Sequence, residues 1–78
     1  MELHDHSLNA LFDQLGLPSS SKEIETFIVE HSGQLNGYLP LHKAEFWNAS
    51  QSLFLKEAKE HDADWAEVVD ELDALLRL

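Results

Sequence analysis

The chain has 78 residues, with 15 acids against 5 bases for a net charge of −10 (histidines neutral), and it has no cysteine. A domain this short buries only roughly 60–65% of its unfolded surface, so the core is thin and has no room for a deep reaction cleft. The missing cysteines exclude a disulfide framework, a thiolate metal site and a thiol nucleophile, and the charge excludes a direct grip on nucleic-acid phosphates.

The apolar fraction of 44% is that of a folded domain, so the charge does not imply disorder. No run approaches the roughly 20 apolar residues of a membrane span, and the first residues form neither a basic leader nor an apolar stretch. The expectation is a soluble cytoplasmic protein, a single domain over residues 1–78, with no membrane partner and no direct nucleic-acid binding.

Ser7 stands just ahead of Leu8, Leu11, Phe12 and Leu15, which share one helical face, and Gly16 with Pro18 supplies the stop. This predicts a first helix from about Leu8 to Leu15, too short to persist undocked. Ser20 and Glu23 have capping-box spacing, and Ile24, Phe27 and Ile28 form the next stripe, with Val29 beside it and Gly33 after it. A second helix is expected from about Ser21 to Ser32.

Between Gly33 and Phe46 the helical pattern lapses. Pro40 interrupts Tyr38 to Leu41, which argues against a strand, while Leu35, Leu39 and Leu41 are too apolar for a solvated loop. The reading is an apolar-anchored loop that plugs the open end of a helical core.

Asn48 and Gln51 repeat the capping logic and open a third helix from about Ala49 to Glu60. Leu53 and Leu55 flank Phe54, which suggests a broad buried face, and Lys56 and Lys59 make this the least acidic helix. His61 to Asp64 is a tight connection. Asp64 and Glu67 have capping spacing, so Asp64 is the expected cap of a last helix whose first position is Trp65. Val68, Val69, Leu72, Leu75 and Leu76 continue the apolar stripe, and Asp73 and Arg77 are spaced for an i,i+4 pair. The fold class expected is all-α, a small bundle of about four short helices with an apolar loop between helices 2 and 3.

Several words carry a resemblance: Leu11-Phe12-Asp13-Gln14-Leu15-Gly16-Leu17-Pro18, then Phe46-Trp47, Gln51, Phe54-Leu55, and Asp62-Ala63-Asp64-Trp65-Ala66-Glu67-Val68-Val69-Asp70. In these the chain resembles, over nearly its whole length, the bacterial family DUF2789, a domain of unknown function. The resemblance implies a small, stand-alone, bacterial, cytosolic protein. It implies no activity, cofactor or catalytic residue.

Five histidines are many for this length. His4 and His6, two apart, present two imidazoles to a transition metal if their segment is extended, but two ligands are half a zinc site and nothing nearby completes it. The plainer reading is a lead-in to the first helix, and no cofactor is expected. His31 and His61 fall near helix C-termini, where the dipole favours an imidazolium, and ordinary helix-end stabilisation accounts for both. Asp62, Asp64 and Glu67 lack the glycine and terminal glutamate of a calcium loop. No nucleophile–His–acid set, glycine-rich phosphate loop or metalloprotease word is present, so no enzyme is expected.

Two features point to contacts with proteins. Glu67, Asp70 and Glu71 are i+3 and i+4 neighbours on the outer face of the last helix, with Arg77 the one cation close by in sequence, and such a face attracts a basic surface. Phe46 and Trp47 are adjacent and cannot both follow one helical direction, which makes Trp47 a candidate exposed anchor, although burial of both is the commoner outcome. The functional expectation is a non-catalytic acidic interaction module that self-associates as a homodimer or docks a basic protein partner. Metal binding through His4 and His6, and mimicry of nucleic-acid charge, are the alternatives.

Overall fold

A computed structural model describes residues 7–35, 37 and 39–77 of the chain. Among these residues there are four α-helices and no strand: α1 Leu8–Gln14, α2 Ser21–His31, α3 Ala49–His61 and α4 Ala63–Leu76. The expected all-α architecture is therefore the one observed. His4, His6 and Tyr38 lie outside the described residues.

Local hydrogen bonding explains most of the helix starts. Ser7 Oγ accepts from the Ala10 amide at 3.2 Å and Ser20 Oγ from the Glu23 amide at 3.3 Å, each satisfying an amide that has no partner within its helix. Asn48 and Gln51 form a complete capping box: Asn48 Oδ1 accepts from the Gln51 amide at 2.8 Å, and the Asn48 amide donates to Gln51 Oε1 at 3.0 Å. The Gln51 side chain also reaches out of α3, its Nε2 donating to the Leu15 carbonyl at 2.9 Å.

The start of α4 differs from expectation. Asp62, not Asp64, is the cap: its side chain accepts from the Asp64 amide at 3.1 Å. Asp62 also ends α3, its amide donating to the Ala58 carbonyl at 3.3 Å, so a single residue in extended conformation (φ −134°, ψ 101°) joins the two helices. Trp65 accordingly sits in the first turn and not at the first position. Asp64 keeps its favourable place at the positive end of the helix.

The segment between α2 and α3 behaves as the plug its composition suggests. Leu35 and Leu41 are buried, as is Ala44, and they join Leu11, Phe12, Leu55, Leu72 and Leu76 in one core. Leu41–Lys43 forms a short 3₁₀ turn that the sequence reading missed. Gly33, at φ +87°, turns the chain out of α2, and its amide donates to the Leu76 carbonyl at the end of α4 over 3.3 Å.

Two expectations about packing are corrected. Leu53 is 59% exposed, so the buried face of α3 is narrower than the Leu53-Phe54-Leu55 run suggests; Leu55 and Ala58 carry it. Trp47 is only 8% exposed, and its Nε1 donates to the Leu41 carbonyl at 2.9 Å. It is a core residue and offers no exposed ring. The indole stacks on Phe27, centroids 5.6 Å apart, and Phe46 beside it is half-buried. Buried Trp rings need a partner for their N–H, and the 3₁₀ turn supplies one.

Candidate functional site

On α4, Val68, Val69, Leu72 and Leu76 face the core. Full burial of such side chains is worth about 1.5–3 kcal/mol each, far more than any surface pair, so this stripe decides which way the helix is turned. With that rotation set, Asp64, Glu67 and Glu71 fall together on the outer side and are exposed. Among the described residues no cation pairs with Glu67 or Glu71. Like charges spaced i,i+4 oppose the helix by about 0.2–0.5 kcal/mol, which the core stripe easily offsets.

Asp70 does not belong to that unpaired set. It points along the side of α4 toward α3, where Lys59 Nζ forms an ion pair with its Oδ1. The sequence reading named Arg77 as the cation near this face; the hairpin brings up a second from another helix. Lys59 and Asp70 lie on opposite sides of a one-residue joint, and only the angle between α3 and α4 sets them level. No periodicity within either helix signals the pair. Both side chains are about half exposed, so the pair is worth roughly 0.2–1 kcal/mol.

The pair spans a groove of about 360 Å³ between α3 and α4, closed at one end by the 3₁₀ turn. Leu41, Leu55 and Val69 form its apolar floor, Lys56 stands on the α3 wall and Asp73 on the α4 wall. The walls are already paired within the chain: Lys56 with Glu60 at 3.3 Å, and Asp73 with Arg77 as its spacing predicts. Arg77 also donates to the carbonyls of Gly37 and Leu39, the latter at 2.5 Å, which ties the loop to the end of α4.

Among the described residues no polar or charged side chain is buried, and no group of three or more His, Cys, Asp or Glu side chains gathers to hold a metal. His31 is placed in a different setting from a bare helix end. Its ring stacks on Phe46 and tilts against Phe27, both at 4.3 Å between centroids, with Nδ1 3.3 Å from Gln34 Oε1. The pairing with Phe46, fifteen residues downstream, is tertiary and has no local signature. No described helix is long and apolar enough to cross a membrane.

A family profile described as "Protein of unknown function (DUF2789)" matches residues 1–76. The chain belongs to this family. The match takes in all four helices and the loop of this DUF2789 chain, including the acidic face of α4 and the groove beside it. No curated protein and no solved structure matches it.

Proposed function

We propose that the chain is a non-catalytic interaction module that docks a basic protein partner through the outer face of α4. The observation that supports this reading is the pair Glu67 and Glu71, exposed on one face, one turn apart, and without a cation among the described residues. Asp64 extends the same face. Unpaired like charges held together cost a little stability and strengthen long-range attraction for a surface of opposite sign. Trp47 takes no part in this surface. Asp70 contributes only as far as Lys59 leaves its second oxygen available.

A pull-down at low and high salt tests the proposal, with the intact chain as bait beside a Glu67→Lys/Glu71→Lys variant. The expected result is a partner retained at low salt, released at high salt, and lost by the charge-reversed bait even at low salt. Equal retention by both baits would sink the assignment of this face.

A further inference from the structure

The joint between α3 and α4 is a single residue, and nothing in the covalent chain demands that it be there. From Ala49 to Leu76 there is no glycine and no proline. The helix is interrupted only by the extended backbone of Asp62 and the bond from the Asp64 amide to its side chain. We propose that the α3–α4 hairpin is poised to straighten about Asp62 into one continuous helix, and that two copies of the chain then exchange α4 to form a dimer.

The balance of contacts makes the exchange feasible. α4 packs on α3, α1 and α2 through Val68, Val69, Leu72 and Leu76. In the exchanged dimer the same surfaces meet between copies, so the core is rebuilt rather than lost. In the hairpin, the Trp65 and Ala66 amides share the Asp62 carbonyl, at 3.1 and 2.9 Å. A continuous helix instead pairs the amides of residues 63–65 with the carbonyls of residues 59–61, removing two helix ends. Short hinges that can extend are a general route to such exchange. The opposing force is charge, since each copy carries −10. Salt therefore raises the dimer fraction, opposite to its effect on a charge-steered partner, which separates this inference from the docking face proposed above.

Two substitutions act on the joint in opposite directions. Asp62→Ala removes the cap that holds the bend and places a strong helix former at the hinge. Each of the two hinges should shift by about fivefold, so the dimerisation constant rises by roughly 25-fold. Ala63→Pro suits the hairpin, because proline is accepted at the first residue of a helix and favours an extended residue before it, as Asp62 already is. In the straightened helix the same proline loses an amide and clashes with the preceding turn.

Gel filtration over a range of concentrations, with helix content followed by circular dichroism, reads the result. The expected outcome is a dimer that grows in Asp62→Ala, is promoted by salt, and is absent in Ala63→Pro with helix content unchanged. The chain has no cysteine, so Lys59→Cys/Asp70→Cys can be joined by a short bis-maleimide. The isolated dimer should then run as a covalent dimer under denaturing conditions. An Asp62→Ala variant that folds but stays monomeric at its solubility limit would overturn the inference. So would a dimer that survives Ala63→Pro, or one whose cross-links all lie within single chains.

Discussion

Gln51 at the start of α3 holds the Leu15 carbonyl at the end of α1, Nε2 to O, at 2.9 Å. The two residues are 36 apart in sequence, and the same Gln51 side chain closes the capping box on Asn48 through its Oε1. One amide group thus joins a local helix start to a tertiary contact, each end using the atom the other leaves free. Leu15 is the C-cap of α1, a two-turn helix that needs outside support.

Replacing Gln51 by Ala removes both bonds and should cost about 1–3 kcal/mol, at roughly 0.5–1.5 kcal/mol per hydrogen bond. Gln51→Glu keeps the acceptor for the Asn48 amide and turns the donor to Leu15 into a second acceptor, so it should also destabilise. Urea unfolding checks this: the midpoint falls in both variants with the slope unchanged. If Gln51→Glu matches the parent, the bond to Leu15 has no energetic weight.

Trp47 fills the space between the 3₁₀ turn and α2 and donates to the Leu41 carbonyl. Trp47→Phe keeps most of the ring and loses the bond, for about 1–2 kcal/mol, because the Leu41 carbonyl still accepts from the Ala44 amide at 3.1 Å. Trp47→Ala opens a cavity worth about 3–5 kcal/mol, a large share of the stability of a domain this small. Thermal melts followed by circular dichroism should rank parent, Trp47→Phe and Trp47→Ala in that order. A Trp47→Ala protein as stable as its parent would contradict the buried placement.

The Lys59–Asp70 pair offers a contrast, being prominent in the structure and weak in energy. A double-mutant cycle with Lys59→Met and Asp70→Asn should give a coupling of about 0.2–1 kcal/mol, shrinking toward zero at high salt. Coupling above about 2 kcal/mol that ignored salt would mean that the pair is desolvated, contrary to its half exposure.

Arg77 links α4 to the loop through the Gly37 and Leu39 carbonyls while pairing with Asp73. Arg77→Ala should loosen the loop at Gly33, Gly37 and Leu39 while leaving α3 and α4 in place. Amide hydrogen exchange would show lower protection at Gly33 and in the 3₁₀ turn, with little change at Leu55 or Leu72. Arg77→Lys should not restore protection, since an ammonium lacks the planar fork that reaches two carbonyls at once. Uniform loss of protection across the chain would instead identify Arg77 as a global stabiliser.

The four helices, the caps at Ser7, Ser20 and Asn48, and the apolar plug between α2 and α3 were determined by the sequence itself. Each depends on residues a few positions apart, where backbone geometry dictates which side chain reaches which amide. The same holds for Asp73 and Arg77, one helical turn from each other. What tertiary structure alone decided lies across larger gaps. Asp62 and Asp64 are equally good caps as residue types, and the choice followed from where packing made α3 stop. Whether Trp47 faced in or out rested on a carbonyl supplied by the 3₁₀ turn, six residues away. Asp70 left the acidic face for Lys59 because the angle of a one-residue joint brought two helices level. That angle is set by how Leu55, Ala58, Val69 and Leu72 fill shared space, and close packing in a common core is a property of the assembled chain, not of any segment of it.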